Sequence, residues 1–107
     1  MANKIKVLVV NNDLNLLSKI YLTLLHRNYK VEASDKTEEI SERLKRFKPA
    51  VLVAGVNEYQ FIMDKLKIPV VVIGADATGI VASEDVIHLL LPFHAEELVK
   101  AIEKLTV

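Results

Sequence analysis

Short aliphatic runs alternate with segments of helical period along the whole of this 107-residue chain, and that alternation narrows its fold more than any single motif does. Ile5 to Val10, Val31 to Ser34, Ala50 to Ala54, Val70 to Ile73 and Val86 to Leu90 read as five strands. Most are apolar at consecutive positions rather than at every second one. Such strands are covered on both faces, as in a parallel sheet flanked by helices. Short connections and right-handed crossovers then predict one α/β domain over residues 1–107, with a doubly wound five-stranded parallel sheet.

The intervening segments support this. Leu16, Leu17, Ile20 and Leu24 recur at helical spacing, with Asn28 as the stop. Asp35 and Glu38 resemble a capping box, ahead of a seam formed by Ile40, Leu44 and Phe47 and ended by Pro49. A short helix after the third strand is expected to place Tyr59, Ile62, Met63 and Leu66 on one side. Residues 75–85 show no sustained period and read as a loop or a single turn. Ala95, Leu98, Val99, Ile102 and Leu105 give the last helix a buried face.

Composition removes several functions. Fourteen basic and fourteen acidic side chains cancel to a net charge of zero, so direct nucleic-acid binding and attraction to an anionic membrane are not expected. The absence of cysteine excludes disulfides, thiol catalysis and cysteine zinc sites and suits a reducing interior. The first apolar stretch is too short for a signal sequence or a membrane span, and a cytoplasmic location is expected.

Ligands of open α/β sheets bind beyond the carboxyl ends of the strands. Here those ends are Asn11 and Asn12, Gly55, Gly74 and Leu91, none of them an acid, a base or a nucleophile. Asp13 and Asp76 are the nearest carboxylates. Asp13 reads as a helix cap and Asp76 as a loop residue, since two separated acids without a lysine make a poor magnesium site. Gly74 to Gly79 has the glycine spacing of a phosphate-binding loop, but Ile80 and Val81 stand where Lys and Ser or Thr are needed, so it reads as a turn. His26, His88 and His94 are not at metal-ligand spacing.

Four segments, Val-Leu-Val-Val-Asn-Asn-Asp-Leu-Asn-Leu-Leu, Lys-Pro-Ala-Val-Leu-Val-Ala-Gly, Ile-Pro-Val-Val-Val-Ile-Gly-Ala and Leu-Pro-Phe, occur in this order. Together they resemble the signature segments of response-regulator receiver domains of the CheY-like type. The resemblance spans essentially the whole chain. It implies the flavodoxin-like sheet with strand order 2-1-3-4-5, here with shortened third and fourth helices. It also implies two-component signalling through phosphorylation of an aspartate at the end of the third strand. In that pattern two carboxylates after the first strand hold Mg²⁺, Thr or Ser ends the fourth strand and Lys ends the fifth. The corresponding positions here are Asn11 and Asn12, Gly55, Gly74 and Leu91. His88 takes the place of the family's switch aromatic and reads as a packing residue.

Two neutral amides are weak magnesium ligands, and glycine offers no nucleophile. Loss of acids and lysine together predicts a nearly neutral pocket that needs no ion, with no cofactor and no enzymatic activity. Leu14, Tyr21 and Leu25, with Leu22 further round, form a second apolar stripe on the first helix beside its core stripe, which points to an interface. The expectation is a pseudo-receiver that contacts a protein partner, either a signalling protein or a second copy as a homodimer. The alternative is a small-molecule-binding domain using the neutral cleft at Asn11, Asn12 and Gly74.

Overall fold

The computed structural model describes residues 4–75, 80 and 83–106. Five strands, β1 (Lys6–Val10), β2 (Lys30–Ser34), β3 (Val51–Gly55), β4 (Val70–Gly74) and β5 (Val86–Leu90), form one parallel sheet in the order β2-β1-β3-β4-β5. The expected strand order holds. Among the described residues four α-helices connect or follow the strands: α1 (Leu14–His26), α2 (Ile40–Phe47), α3 (Val56–Ile62) and α4 (Ala95–Thr106).

The consecutive apolar residues of the strands divide between two layers, because successive side chains point to opposite faces of a sheet. Val7, Val9, Val51, Val53, Val71 and Ile73 pack with Leu17, Ile20, Leu24, Leu98 and Ile102 of α1 and α4. Leu8, Val10, Leu52, Ala54, Val70 and Val72 pack on the opposite side with Ile40, Phe47, Tyr59 and Ile62 of α2 and α3.

Helix α1 begins and ends through side-chain and backbone caps that the sequence announces. Asp13 is extended, and its carboxylate accepts from the amides of Asn15 and Leu16. At the other end Asn28 takes the left-handed conformation at φ 70°, while the amides of Asn28 and Tyr29 donate to the carbonyls of Leu25 and Leu24. This is a Schellman motif with asparagine in the usual glycine position, and Tyr29 and Leu24 meet in the core beneath it.

The start of α2 differs from expectation. Asp35 is not its cap; a 3₁₀ turn over Thr37–Glu39 precedes the helix, and Ser34, buried at the end of β2, organises the entry. The Ser34 hydroxyl accepts from the Lys36 amide and donates to Glu39 Oε1 at 2.9 Å. Arg43 joins Glu39 and Glu32 from one helical turn on. The reason is geometric: a buried hydroxyl fixed by the strand is a better-placed partner than an exposed carboxylate one residue later.

Helix α3 is short, as expected, and tightens into a 3₁₀ turn over Met63–Lys65. That tightening shifts the helical phase, so Met63 is exposed while Tyr59 and Ile62 are buried. Between β4 and β5, Ala75, Ile80 and Ser83–Asp85 hold no helix, and Ser83 bridges Val86. Asp76 and Gly79 lie outside the described residues, as does most of the loop expected there.

Two measurements check this account. Leu24→Ala should cost 2–5 kcal/mol in denaturant unfolding, within the usual range of about 2–5 for a buried leucine, whereas exposed Leu22→Ala should stay within about 0.5 kcal/mol of the parent. The Ser34 hydroxyl, and after it Arg43, hold the Glu39 carboxyl below its ordinary value of 4.5. Its stabilisation is therefore present above that value and lost as pH falls through the lowered one. In an NMR carboxyl titration, Ser34→Ala should move the Glu39 midpoint upward.

Candidate functional site

The carboxyl ends of β1, β3 and β4 and the residue after β5 bring Asn11, Asn12, Gly55, Gly74 and Leu91 to the wall of one cleft of about 390 Å³. All five residues singled out from sequence therefore converge. Asn11 is buried, and its Oδ1 accepts from the Asp13 amide at 2.9 Å, an Asx turn that shapes the loop between β1 and α1. Asn12 is exposed, and Leu91 is partly exposed and precedes Pro92.

One residue of this cleft is not evident from sequence. Glu58, on the first turn of α3, is only 3% exposed, and its Oε1 accepts from the Asn12 amide at 2.9 Å. Gly55 explains how it fits. At φ −69° and ψ 166° its backbone suits any residue, so glycine here supplies space rather than conformational freedom. A Cβ at Gly55 would stand 2.9 Å from Glu58 Oε2 and 3.2 Å from Asn11 Nδ2. The Glu58 carboxylate thus occupies the room that any side chain at position 55 would enter. The expectation of a nearly neutral pocket is corrected accordingly: its centre holds a buried carboxylate, hydrogen-bonded across from the β3–α3 junction to the β1–α1 loop.

Glu58 stands at the third helical position after Gly55, where glutamate commonly folds back to the residue capping its own helix. Here it reaches the neighbouring loop instead. The signal available in sequence was the pairing of a glycine at the strand end with an acid three residues later.

Magnesium prefers a near-octahedral oxygen shell that includes free carboxylates. Asn11 Oδ1, Asp13 Oδ1 and Glu58 Oε1 are each engaged by backbone amides. Among the described residues no three acidic or histidine side chains converge. The described residues do not fit a magnesium ion, and among them no lysine or arginine lines the cleft. Of the small molecules that the alternative reading would admit, a buried carboxylate at this position disfavours anionic ones.

His88 is half-buried on β5 opposite Val72, and its Nε2 has no hydrogen-bond partner. On α1, Leu14, Leu22 and Leu25 are exposed, while Tyr21 is half-buried and lines a groove with Val31 and Ala33 of the edge strand β2. Of the four residues expected at an interface, Leu14 and Leu25 are exposed away from this groove, while Leu22, also exposed, borders it beside Tyr21.

The fold matches solved structures. The chemotaxis response regulator CheY4 of Vibrio cholerae superposes with a TM-score of 0.75 at 18% identity, covering 96% of this chain and 99% of that one. A response regulator receiver protein from Sinorhizobium medicae gives 0.78 at 21%, covering 97% and 95%. The chain has the receiver fold. The anti-anti-sigma factor PhyR of Bartonella quintana contains a comparable unit, with a TM-score of 0.73 at 17% identity over 99% of this chain and 48% of that one. No protein-family model matches the sequence, and no curated protein matches it significantly.

A double-mutant cycle tests the place of Glu58. Gly55→Ala should destabilise the fold by about 1–2 kcal/mol, because the added methyl displaces the carboxylate from its amide partner. In a Glu58→Ala background most of that penalty should vanish, giving a coupling of about 1 kcal/mol. Equal penalties in both backgrounds would mean that Glu58 does not fill the space at Gly55.

Proposed function

We propose that the chain is a phosphorylation-independent pseudo-receiver, a protein–protein interaction module in signal transduction rather than an enzyme. The observation that carries this reading is the Glu58 carboxylate lying where a side chain at Gly55 would lie. A receiver's transfer site needs a nucleophile there, a metal to neutralise charge on the phosphoryl group and a fixed cation nearby. Gly55 offers none, Glu58 excludes an added group, and Asn11, Asn12 and Leu91 supply neither ion nor charge.

The same carboxylate does something positive. Its bond to the Asn12 amide ties the β1–α1 loop to α3 through the chain's own side chain. In this reading the surface set by those loops has one state and is read by contact. The exposed Leu14, Leu22 and Leu25 on α1 are the apolar surface available for a signalling protein or for a second copy of the chain. A cytoplasmic location accords with the lack of cysteine. No described helix is long and apolar enough to cross a membrane.

The test is incubation with acetyl phosphate and Mg²⁺, followed by intact mass and amide NMR spectra. The expected result is no phosphoryl adduct and no magnesium-dependent shift at Asn12, Gly55 or Glu58. A phosphoryl group on any carboxylate of the cleft would overturn the reading.

A further inference from the structure

A groove of about 670 Å³ opens at the opposite end of the sheet, between the C-terminal end of α2 and the segment that runs from α3 through its 3₁₀ turn into β4. Its apolar lining is Leu44, Pro49, Ile62 and Ile68, continuous with the core layer beneath α2 and α3. Its charged lining is Lys45 and Lys48 on one wall and Lys65 and Lys67 on the other. No acidic residue lines it.

These lysines are electrostatically uncommitted. Every ion pair among the described residues uses an arginine: Arg27, Arg43 or Arg46. The dipole of α2 accounts for cations at its C-terminus, namely Lys45 and Lys48. It does not account for Lys65 and Lys67, which belong to a three-residue turn and an extended approach to β4. Four unpaired ammonium groups over an apolar floor complement an anion with an apolar body. Lysine stems can line such a body while their heads stay in water beside its charge. The volume lies within the usual range of about 300–1,000 Å³ for small-molecule sites.

We propose that this groove binds a free anionic amphiphile, with its aliphatic part on Leu44, Ile62 and Ile68 and its carboxylate or phosphate head among the lysines. The site is at the amino ends of the strands, remote from the cleft at Gly55, and stands whether or not that cleft is inert.

The probe is dodecanoate below its micelle concentration, titrated into the full chain and followed by amide NMR. Saturable shifts centred on Leu44, Ile62 and Ile68 are expected, weakened by added salt. Affinity should fall at least tenfold in the paired variant Lys48→Glu with Lys67→Glu. Lys48→Arg with Lys67→Arg should retain binding, and unchanged far-ultraviolet circular dichroism would show that both variants fold. Acetate, a head without a tail, and dodecylammonium, the same tail with opposite charge, should leave the groove unshifted. Equal binding of dodecylammonium, shifts centred on the leucines of α1, or full affinity in the charge-reversed variant would overturn the proposal. Co-sedimentation with phosphatidylglycerol vesicles in the absence of saturable dodecanoate binding would also overturn it, in favour of a lipid surface.

Discussion

Desolvation of β1 and β3 is the constraint from which the rest follows. Val7 to Val10 and Val51 to Ala54 are essentially inaccessible to water, so every backbone amide and carbonyl in them must find its partner in a neighbouring strand. Parallel pairing on both sides of each strand meets that demand and fixes their register to one another and to β4. A slip of one residue would exchange the two layers of side chains at once. The carboxyl ends of these strands are therefore held at set positions. Asn11 and Gly55 are brought together by the sheet rather than by contacts of their own.

That rigidity gives a missing side chain its consequence. At the end of a mobile loop, the room left by glycine would fill with water or close by loop movement. At the end of a buried strand it persists, and the nearest polar side chain able to reach it is Glu58, one turn into α3. Burying a carboxylate is costly without hydrogen bonds, and the Asn12 amide provides one. The acid of the cleft thus arrives from position 58, buried and hydrogen-bonded, and not from position 55.

What the sequence discloses divides along the same physical line. The strands and the seams of α1 and α4 were legible because burial on two faces forces consecutive apolar residues, and burial on one helical face forces a period. The stop at Asn28 was legible because few residues tolerate its backbone conformation. The entry to α2 was not, since Asp35 and Ser34 are both ordinary capping residues and only the depth of β2 selects Ser34 as the residue that bonds Lys36 and Glu39 ahead of the helix. Met63 was misplaced because periodicity assumes a regular helix to its end. Glu58 was hidden for a related reason: on a short helix with polar neighbours, an acid reads as solvent-facing unless the empty space beside it is known.

Net charge conceals a comparable arrangement. The parallel fold gathers helix starts and strand ends on one side of the sheet, where Asp13, Asp35, Glu38, Glu39, Glu58, Glu96 and Glu97 lie. It gathers strand starts on the other, with Lys4, Lys6, Lys30, Lys48, Lys65 and Lys67. Fourteen charges of each sign sum to zero, yet these thirteen divide along the strand direction, with Lys36 among the acids and Asp64, Glu84 and Asp85 among the lysines as exceptions. Acids near helix N-termini and lysines near helix C-termini each lower the energy of their own helix. Repeated around a parallel sheet, that local preference enriches acids at the strand ends and lysines at the strand starts. A neutral sum therefore supplies no net attraction of the whole chain to a polyanion, yet it is compatible with local capture of an anion at the lysine-lined end.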